Sequence, residues 1–278
     1  MMRSLWTAAS GMSAQQQSVD TISNNISNVN TTGYKKERIE FKSLLYDTMR
    51  RADLDAQNQA GRPANLQVGT GVRTVATARV FSGGSLERTD YNFDFAIEGS
   101  GFFTIDKGVR EDGTPDIAYT RDGSFKLGVS EDGGFNLVTS EGYRVLDIDN
   151  EPIYIPPEVN ASVVSVTEQG NFTALDENNE MFDLGIRFNI IQFANVQGLE
   201  AIGSNLFSAT PASGPALRES DGEVPRPSTI IQNFLEMSNV QIAEEMVNFI
   251  VAQRAYELNS KAITTSDEML QTANNLKR

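Results

Sequence analysis

Few residues in this sequence are of types and spacings that could carry out chemistry. The segment Gly99-Ser100-Gly101 places a serine between glycines, but a nucleophile elbow requires Gly-x-Ser-x-Gly and a histidine elsewhere as the base. The chain contains no histidine and no cysteine. Their absence excludes a Ser-His-Asp triad, a thiolate nucleophile and Cys-based zinc or iron–sulfur sites. We therefore predict no catalytic residue and no cofactor.

The acidic residues offer two further possibilities. The segment from Asp147 to Glu151 resembles the start of a calcium loop, but Pro152 stands where that loop requires glycine. A carboxylate pair for glycoside hydrolysis stays open as an alternative, because the spacing of such a pair is a property of the fold. Most acidic residues lie in turn-like segments, where solvation or Asx-turn capping explains them. We predict no metal site.

The overall charge restricts the class of partner. The chain has 23 basic and 37 acidic residues, for a net charge of -14, whereas nucleic-acid binding needs a basic face. No apolar stretch approaches the length of about 18 residues that spans a bilayer, and the N-terminus lacks the apolar segment of a signal peptide. We expect no nucleic-acid binding, no direct membrane insertion, and export without a cleaved signal peptide.

The two ends of the chain have the period of α-helices. Near the N-terminus, two series of residues seven positions apart alternate at spacings of three and four, as in a coiled coil: Leu5, Met12, Val19 and Ile26, then Ala8, Gln15, Ile22 and Val29. The helix should end near Gly33, because glycine is preferred just past a helix end.

The C-terminal end has two apolar stripes. One repeats every seven residues and the other lies on a different face, which predicts more than one helix partner. The first contains Ile242, Phe249, Tyr256, Ile263 and Leu270, and the second contains Ala255, Leu258, Ala262, Thr265, Met269 and Leu276.

The middle of the chain changes to a period of two. Tyr91, Phe93, Phe95 and Ile97 alternate with polar or small residues, and further short strand patterns are separated by glycine-rich turns. We predict an α+β fold in which the terminal helices pair as a coiled coil around a central antiparallel all-β domain. The predicted divisions are 1–34 with 232–278 as the helical domain, 71–213 as the β domain, and 35–70 with 214–231 as extended connectors.

Several segments resemble one known family. Residues 24–35 closely resemble the N-terminal signature of flagellar rod and hook proteins. Residues 236–240, 244–247 and 253–261 look like the matching C-terminal signature. Residues 66–72, 95–103, 119–125 and 198–207 are similar to blocks of the same family. The resemblance covers nearly the whole chain in the family's order. The N-terminal signature residues are Asn24, Asn25, Ser27, Asn28, Thr32 and Gly33.

The resemblance implies a structural subunit of the bacterial flagellum. Total length and residues 50–66, which the family associates with stiffness, favour the distal rod: a hollow, rigid polymer that transmits torque from motor to hook. Another rod or hook subunit, or a peptidoglycan-acting enzyme, is the alternative. Implied partners are further copies, proximal rod proteins, hook or hook–rod junction proteins, the flagellar type III export apparatus and ring (bushing) proteins. The implied location is the basal-body rod in the periplasm.

The same resemblance implies that the terminal helices line the inner wall and that the β domain forms the outer layer. The residues assigned to the coiled-coil and polymer interface are Leu5, Met12, Val19, Ile22, Ile26, Val29, Ile242, Met246, Phe249, Tyr256, Leu258, Ile263, Met269 and Leu270.

Overall fold

The computed structural model describes residues 2–50, 65–109, 115–130, 133–159, 163–175, 181–222 and 224–276. The helices are α1 (Met2–Ser27) and α2 (Ile242–Asn275), with short 3-10 helices at Val196–Gly198 and Glu219–Asp221. The strands, in chain order, are β1 (Glu37–Ser43), β2 (Tyr46–Arg50), β3 (Leu66–Gly69), β4 (Val72–Arg79), β5 (Leu86–Arg88), β6 (Phe95–Glu98), β7 (Phe102–Val109), β8 (Pro115–Thr120), β9 (Lys126–Val129), β10 (Phe135–Val138), β11 (Arg144–Val145), β12 (Tyr154–Ile155), β13 (Ser165–Val166), β14 (Asn171–Leu175), β15 (Met181–Arg187), β16 (Ile190–Phe193), β17 (Glu200–Gly203), β18 (Leu206–Ser208), β19 (Ala216–Arg218), β20 (Thr229–Gln232) and β21 (Phe234–Glu236).

The chain divides into two compact units. Unit 1 comprises Met1–Ser27, Glu37–Arg79 and Gln241–Arg278, and contains both helices and strands β1 to β4. Within it, β1 pairs antiparallel with β4, from Glu37 opposite Arg79 to Ser43 opposite Val72, and β2 pairs antiparallel with β3. Both helices are long because each carries an unbroken run without proline.

Unit 2 comprises Asn28–Lys36 and Val80–Val240 and contains the remaining strands. Its largest sheet follows the order β12-β10-β11-β7-β8-β18-β17, with β16 joining β7 to β19 and β9 beside β10. Smaller sheets pair β13-β14-β15, β20 with β6, and β21 with β5. The strand pairs are antiparallel, as predicted for the central region, and the α+β fold class is confirmed.

The core of unit 2 is rich in phenylalanine. The rings of Phe95 and Phe188 pack edge to face with their centroids 5.0 Å apart, and those of Phe103 and Phe125 do so with centroids 5.1 Å apart. Such edge-to-face pairs match the positive edge of one ring to the negative face of the other. Strand β6 is buried on both faces, because Ala96 is as buried as Phe95. The alternation seen in the sequence there reflects side-chain size and not one exposed face.

Some predicted boundaries differ from the structure. Helix α1 ends at Ser27, and Val29 lies beyond it in a turn closed by Thr31 N donating to Asn28 O at 3.2 Å. Gly33 has the positive φ expected of it, 67°, but it does not follow the helix directly. The predicted connectors 35–70 and 214–231 contain β1 to β3 and β19 to β20. Of residues 50–66, the segment that the family associates with stiffness, residues 51–64 lie outside the described residues.

Candidate assembly interface

Helices α1 and α2 contact each other in an antiparallel arrangement within unit 1. The hydroxyl oxygens of Ser4 and Ser266 lie 3.4 Å apart. A Cβ on Gly11 would lie 2.9 Å from Nδ2 of Asn259, so this glycine makes room for the asparagine side chain. The helix pair therefore packs closely through small and polar side chains. Whether it has coiled-coil packing stays a prediction.

The residues most buried in these helices are only partly those of the predicted seam. Ile22 is buried, whereas Leu5, Met12, Val19 and Ile26 are half-buried. On α2, Phe249, Ile263 and Leu270 are half-buried, and Ile242 and Tyr256 are 49% and 38% exposed. The most buried residues of α2 are Glu245, Ala252 and Ser266. An apolar periodicity search overlooks this seam because its residues are small or polar.

A separate apolar stripe on α2 is exposed. Its members are spaced by multiples of about 3.6 residues, which places them on one face of the helix. They include Leu258 and Met269, which belong to the second predicted stripe, and Met246 nearby is also 54% exposed. The stripe residues and their exposed fractions are Val247 (61%), Val251 (63%), Leu258 (68%), Met269 (49%) and Leu276 (83%).

Asn25 is a buried junction of three elements in unit 1. Its Nδ2 donates to the backbone oxygen of Glu37 at 2.8 Å and to Oε2 of Glu245 at 3.1 Å. Its Oδ1 accepts from the backbone N–H of Glu37 at 2.9 Å. One side-chain amide thus connects the last turn of α1, the first residue of β1 and the first turn of α2. Its neighbour Asn24 is exposed.

The other signature residues have local roles. Ser27 Oγ donates to the backbone oxygen of Ser23, which is a bond within α1. In unit 2, Asn28 Oδ1 accepts from Thr31 Oγ1, and Thr32 Oγ1 donates to Asp122 Oδ1 at 2.9 Å. The backbone N–H of Gly33 donates to the backbone oxygen of Glu236, and a Cβ at Gly33 would lie 2.6 Å from the backbone nitrogen of Asp122. Only glycine fits there.

A buried charge cluster in unit 2 was not predicted. Lys35 Nζ lies 2.6 Å from Oε1 of Glu236, and Arg121 Nη1 lies 3.4 Å from Oε2 of the same carboxylate. Burial lowers the pKa of Lys35, while the Glu236 carboxylate opposes this shift. Burial likewise lowers the pKa of Arg121. This cluster could not be predicted from the sequence, because its members are far apart along the chain and lie outside any periodic pattern.

The segments considered for chemistry have structural roles. Asp147 Oδ1 accepts from the backbone N–H groups of Asp149 and Glu151, which is the expected Asx-turn capping. Across the residues described above, no group of three or more His, Cys, Asp or Glu side chains could hold a metal ion. Neither α1 nor α2 has an apolar stretch that could span a bilayer, and the same holds for the other helices among the described residues.

Charge is distributed unevenly between the units. Unit 1 contains 12 basic and 11 acidic residues, so its net charge is +1, and unit 2 contains 11 and 26, so its net charge is -15. Among the described residues, unit 1 exposes seven basic and seven acidic side chains. Unit 2 exposes four basic and eleven acidic ones. The charge-balanced unit is therefore also the one that carries the exposed apolar stripe.

Three family models match the chain in order. They are a flagella basal body rod protein model over residues 5–35, a flagellar hook protein FlgE/F/G D1 domain over residues 96–174, and a flagellar basal body rod FlgEFG protein C-terminal model over residues 231–276. The C-terminal match contains the whole of α2, and the N-terminal one contains Asn25.

Relatives match over essentially the full length. The flagellar basal-body rod protein FlgG of Borreliella burgdorferi is 51% identical over 279 residues, covering 100% of both chains. The protein of the same name from Bacillus subtilis is 39% identical over 278 residues, again covering 100% of both. A solved structure, the Helicobacter pylori flagellar hook protein FlgE2, is 14% identical with a TM-score of 0.24, covering 63% of this chain and 47% of that one. On the sequence matches, this chain belongs to the flagellar basal-body rod protein family and is similar to its FlgG members.

Proposed function

We propose that this chain is a structural subunit of the flagellar distal rod, which polymerises into a hollow, rigid shaft that transmits torque from motor to hook. Membership of the rod protein family supports a structural role in the basal body. The observation that carries polymerisation is the exposed apolar stripe of α2 from Val247 to Leu276.

The stripe needs a partner outside the helix pair. Fully burying a Val, Leu or Met side chain contributes about 1.5–3 kcal/mol. The free energy of association would therefore gain from burial of Val251, Leu258 and Met269. Exposed apolar side chains that share one face often mark an interaction site. In the proposed polymer, the partner is unit 1 of another copy.

Electrostatics favour unit 1 as the contact layer. Its exposed charges are balanced, seven against seven, so copies can approach without strong repulsion. Unit 2, with eleven exposed acidic residues against four basic ones, would repel its own copies at close range. Contacts between copies through unit 1 are therefore favoured over contacts through unit 2.

The further elements of the proposal follow the family resemblance. Proposed partners are proximal rod proteins, hook or hook–rod junction proteins, the type III export apparatus and ring proteins. The proposed location is the periplasmic part of the basal body. The role requires no catalysis and no cofactor. Coiled-coil packing of α1 with α2 and the domain divisions drawn from the sequence belong to the same proposal.

A matched pair of variants tests the stripe. Val251→Asp with Leu258→Asp adds two negative charges to the stripe, and Gln253→Asp with Gln271→Asp adds the same charge to exposed polar positions of α2. We expect the first variant to form no polymer, as measured by sedimentation and electron microscopy. Its circular dichroism spectrum should still have the β-sheet signal of a folded β domain. The second should polymerise as the unaltered chain does. Polymers of normal yield from the stripe variant would refute the proposed interface.

A further inference from the structure

The contacts between α1 and α2 follow one numerical rule. The pairs Ser4–Ser266, Gly11–Asn259 and Asn25–Glu245 each have residue numbers that sum to 270. On α1 these positions are separated by seven and by fourteen residues, which is two and four helical turns. The same sum places Ser18 opposite Ala252, which is 4% exposed. The seam is thus a repeat of small and polar residues with a period of seven.

A repeat of this kind permits slippage. If α2 moved by seven residues so that the sum became 277, Ser18 would face Asn259 and Gly11 would face Ser266. Small and polar side chains would still oppose each other along most of the seam. The one conspicuous loss would be at Asn25, which would face Ala252 instead of Glu245.

The opposite slip fails at the same place. With a sum of 263, Ser18 would face Glu245, and Asn25 would face Ser238, a residue that precedes α2. The Glu245 carboxylate would then be buried without the Asn25 amide. Burying an ionised carboxylate without such a partner is strongly unfavourable. A slip of seven residues in either direction therefore breaks the hydrogen bond between Asn25 and Glu245.

We propose that Asn25 is the register-determining residue of the helix pair in unit 1. A buried polar residue in a helix seam can fix the register of the helices, because displaced registers leave it without its partner. The contacts of Asn25 lie within one chain, so this choice of register does not depend on polymerisation.

Strand β1 holds the Asn25 amide in the required orientation. The side chain donates to the backbone oxygen of Glu37 and accepts from its backbone N–H, at 2.8 and 2.9 Å. This two-point contact fixes both which end of the amide is the donor and the plane in which it lies. The second hydrogen of Nδ2 is then directed to Glu245 at 3.1 Å. Register selection on α2 is thereby linked to the correct placement of β1.

Engineered cysteine pairs can report the register, because the chain contains no cysteine. Ser4→Cys with Ser266→Cys reports the observed register. Ser18→Cys with Asn259→Cys and Ser4→Cys with Asn259→Cys report the two slipped registers. A seven-residue slip displaces a helix by about 10 Å, which is beyond the Cα–Cα reach of a disulfide, about 7 Å.

Each cysteine pair is placed in three full-length backgrounds: the unaltered sequence, Asn25→Ala with Glu245→Ala, and Asn24→Ala. We expect the first and third to form only the Ser4–Ser266 cross-link under mild oxidation. The second should gain at least one slipped cross-link. Exclusive formation of the Ser4–Ser266 cross-link in the second background would overturn the proposal, and so would failure of that cross-link in the unaltered chain.

A further variant separates register choice from simple stability. Glu245→Gln keeps a side-chain oxygen that accepts from Asn25 Nδ2 and leaves both contacts of Asn25 with Glu37 in place, so it should cross-link only in the observed register. Loss of all cross-links in the double-alanine background would also overturn the proposal, because it would show that the pair only holds the helices together. Sedimentation of the same samples reports polymerisation independently, so failure of the proposed function would be recognised separately.

Discussion

Lys35 and Glu236 are 201 residues apart in sequence, yet Nζ of the lysine lies 2.6 Å from Oε1 of the glutamate, with both side chains buried. The same Oε1 accepts from the backbone N–H of Gly84 at 2.9 Å, and Lys35 also donates to the backbone oxygen of Ser82. Glu236, which lies in β21, therefore connects that strand to Lys35 of the N-terminal signature segment and to Gly84, just before β5.

Removing the charge of Glu236 should destabilise unit 2 strongly. In Glu236→Gln, Lys35 and Arg121 would stay buried with no carboxylate between them. Breaking a buried ion pair from one side costs about 3–5 kcal/mol. Urea denaturation followed by a probe of unit 2 would measure the loss. Glu87→Gln, at an exposed position on β5, is the control and should change the free energy of unfolding little; equal effects would contradict the structural role of the cluster.

Some of these features could be predicted from the sequence and others could not. The two helices and the strand at Phe95 follow from local periodicity, which short-range contacts reinforce. The burial of Lys35 could not be predicted, because its partner is remote and a lysine normally indicates surface. The seam through Gly11 and Ala252 was also missed, since small residues contribute little to an apolar pattern even though they allow close packing.

Gly33 should tolerate no side chain, for two separable reasons. Its φ of 67° disfavours any L-residue with a Cβ, and that Cβ would lie 2.6 Å from the backbone nitrogen of Asp122. Gly142 provides the matched control: its φ is 91°, but a Cβ there would have no atom within 4 Å. Backbone strain alone should cost Gly142→Ala about 1 kcal/mol. Gly33→Ala should lower the midpoint of thermal unfolding clearly further. Equal shifts in the two variants would show that the contact with Asp122 is unimportant.

Asp94 should make the stability of unit 2 dependent on pH. Burial raises the pKa of this carboxyl above its ordinary value of 3.8, and the nearby negative charge of Asp122 raises it further. Between the unfolded and the folded pKa, the folded state binds more protons, so this group's contribution to stability falls as pH rises through that window. Asp94→Asn should therefore be more stable than the unaltered chain at pH 7, and its advantage should shrink as pH falls through the folded pKa. Denaturation midpoints of both proteins from pH 7 to pH 4 provide the comparison; an advantage that grows in acid would contradict the assignment.

The charge of unit 2 should make polymerisation sensitive to salt. With a net charge of -15 on each copy of unit 2, neighbouring copies repel, and the Debye length falls from about 30 Å at 0.01 M to about 10 Å at 0.1 M ionic strength. We expect the critical concentration measured by sedimentation to fall over this range. A triple variant, Glu141→Gln with Asp149→Asn and Glu151→Gln, neutralises three exposed acidic residues of unit 2. It should have a lower critical concentration at low salt, and that concentration should depend less on salt. The matched change in unit 1, Glu257→Gln, Asp267→Asn and Glu268→Gln, should do less, because the exposed charges there are balanced. If the unit 1 variant had the larger effect, repulsion between copies of unit 2 could not be what limits assembly.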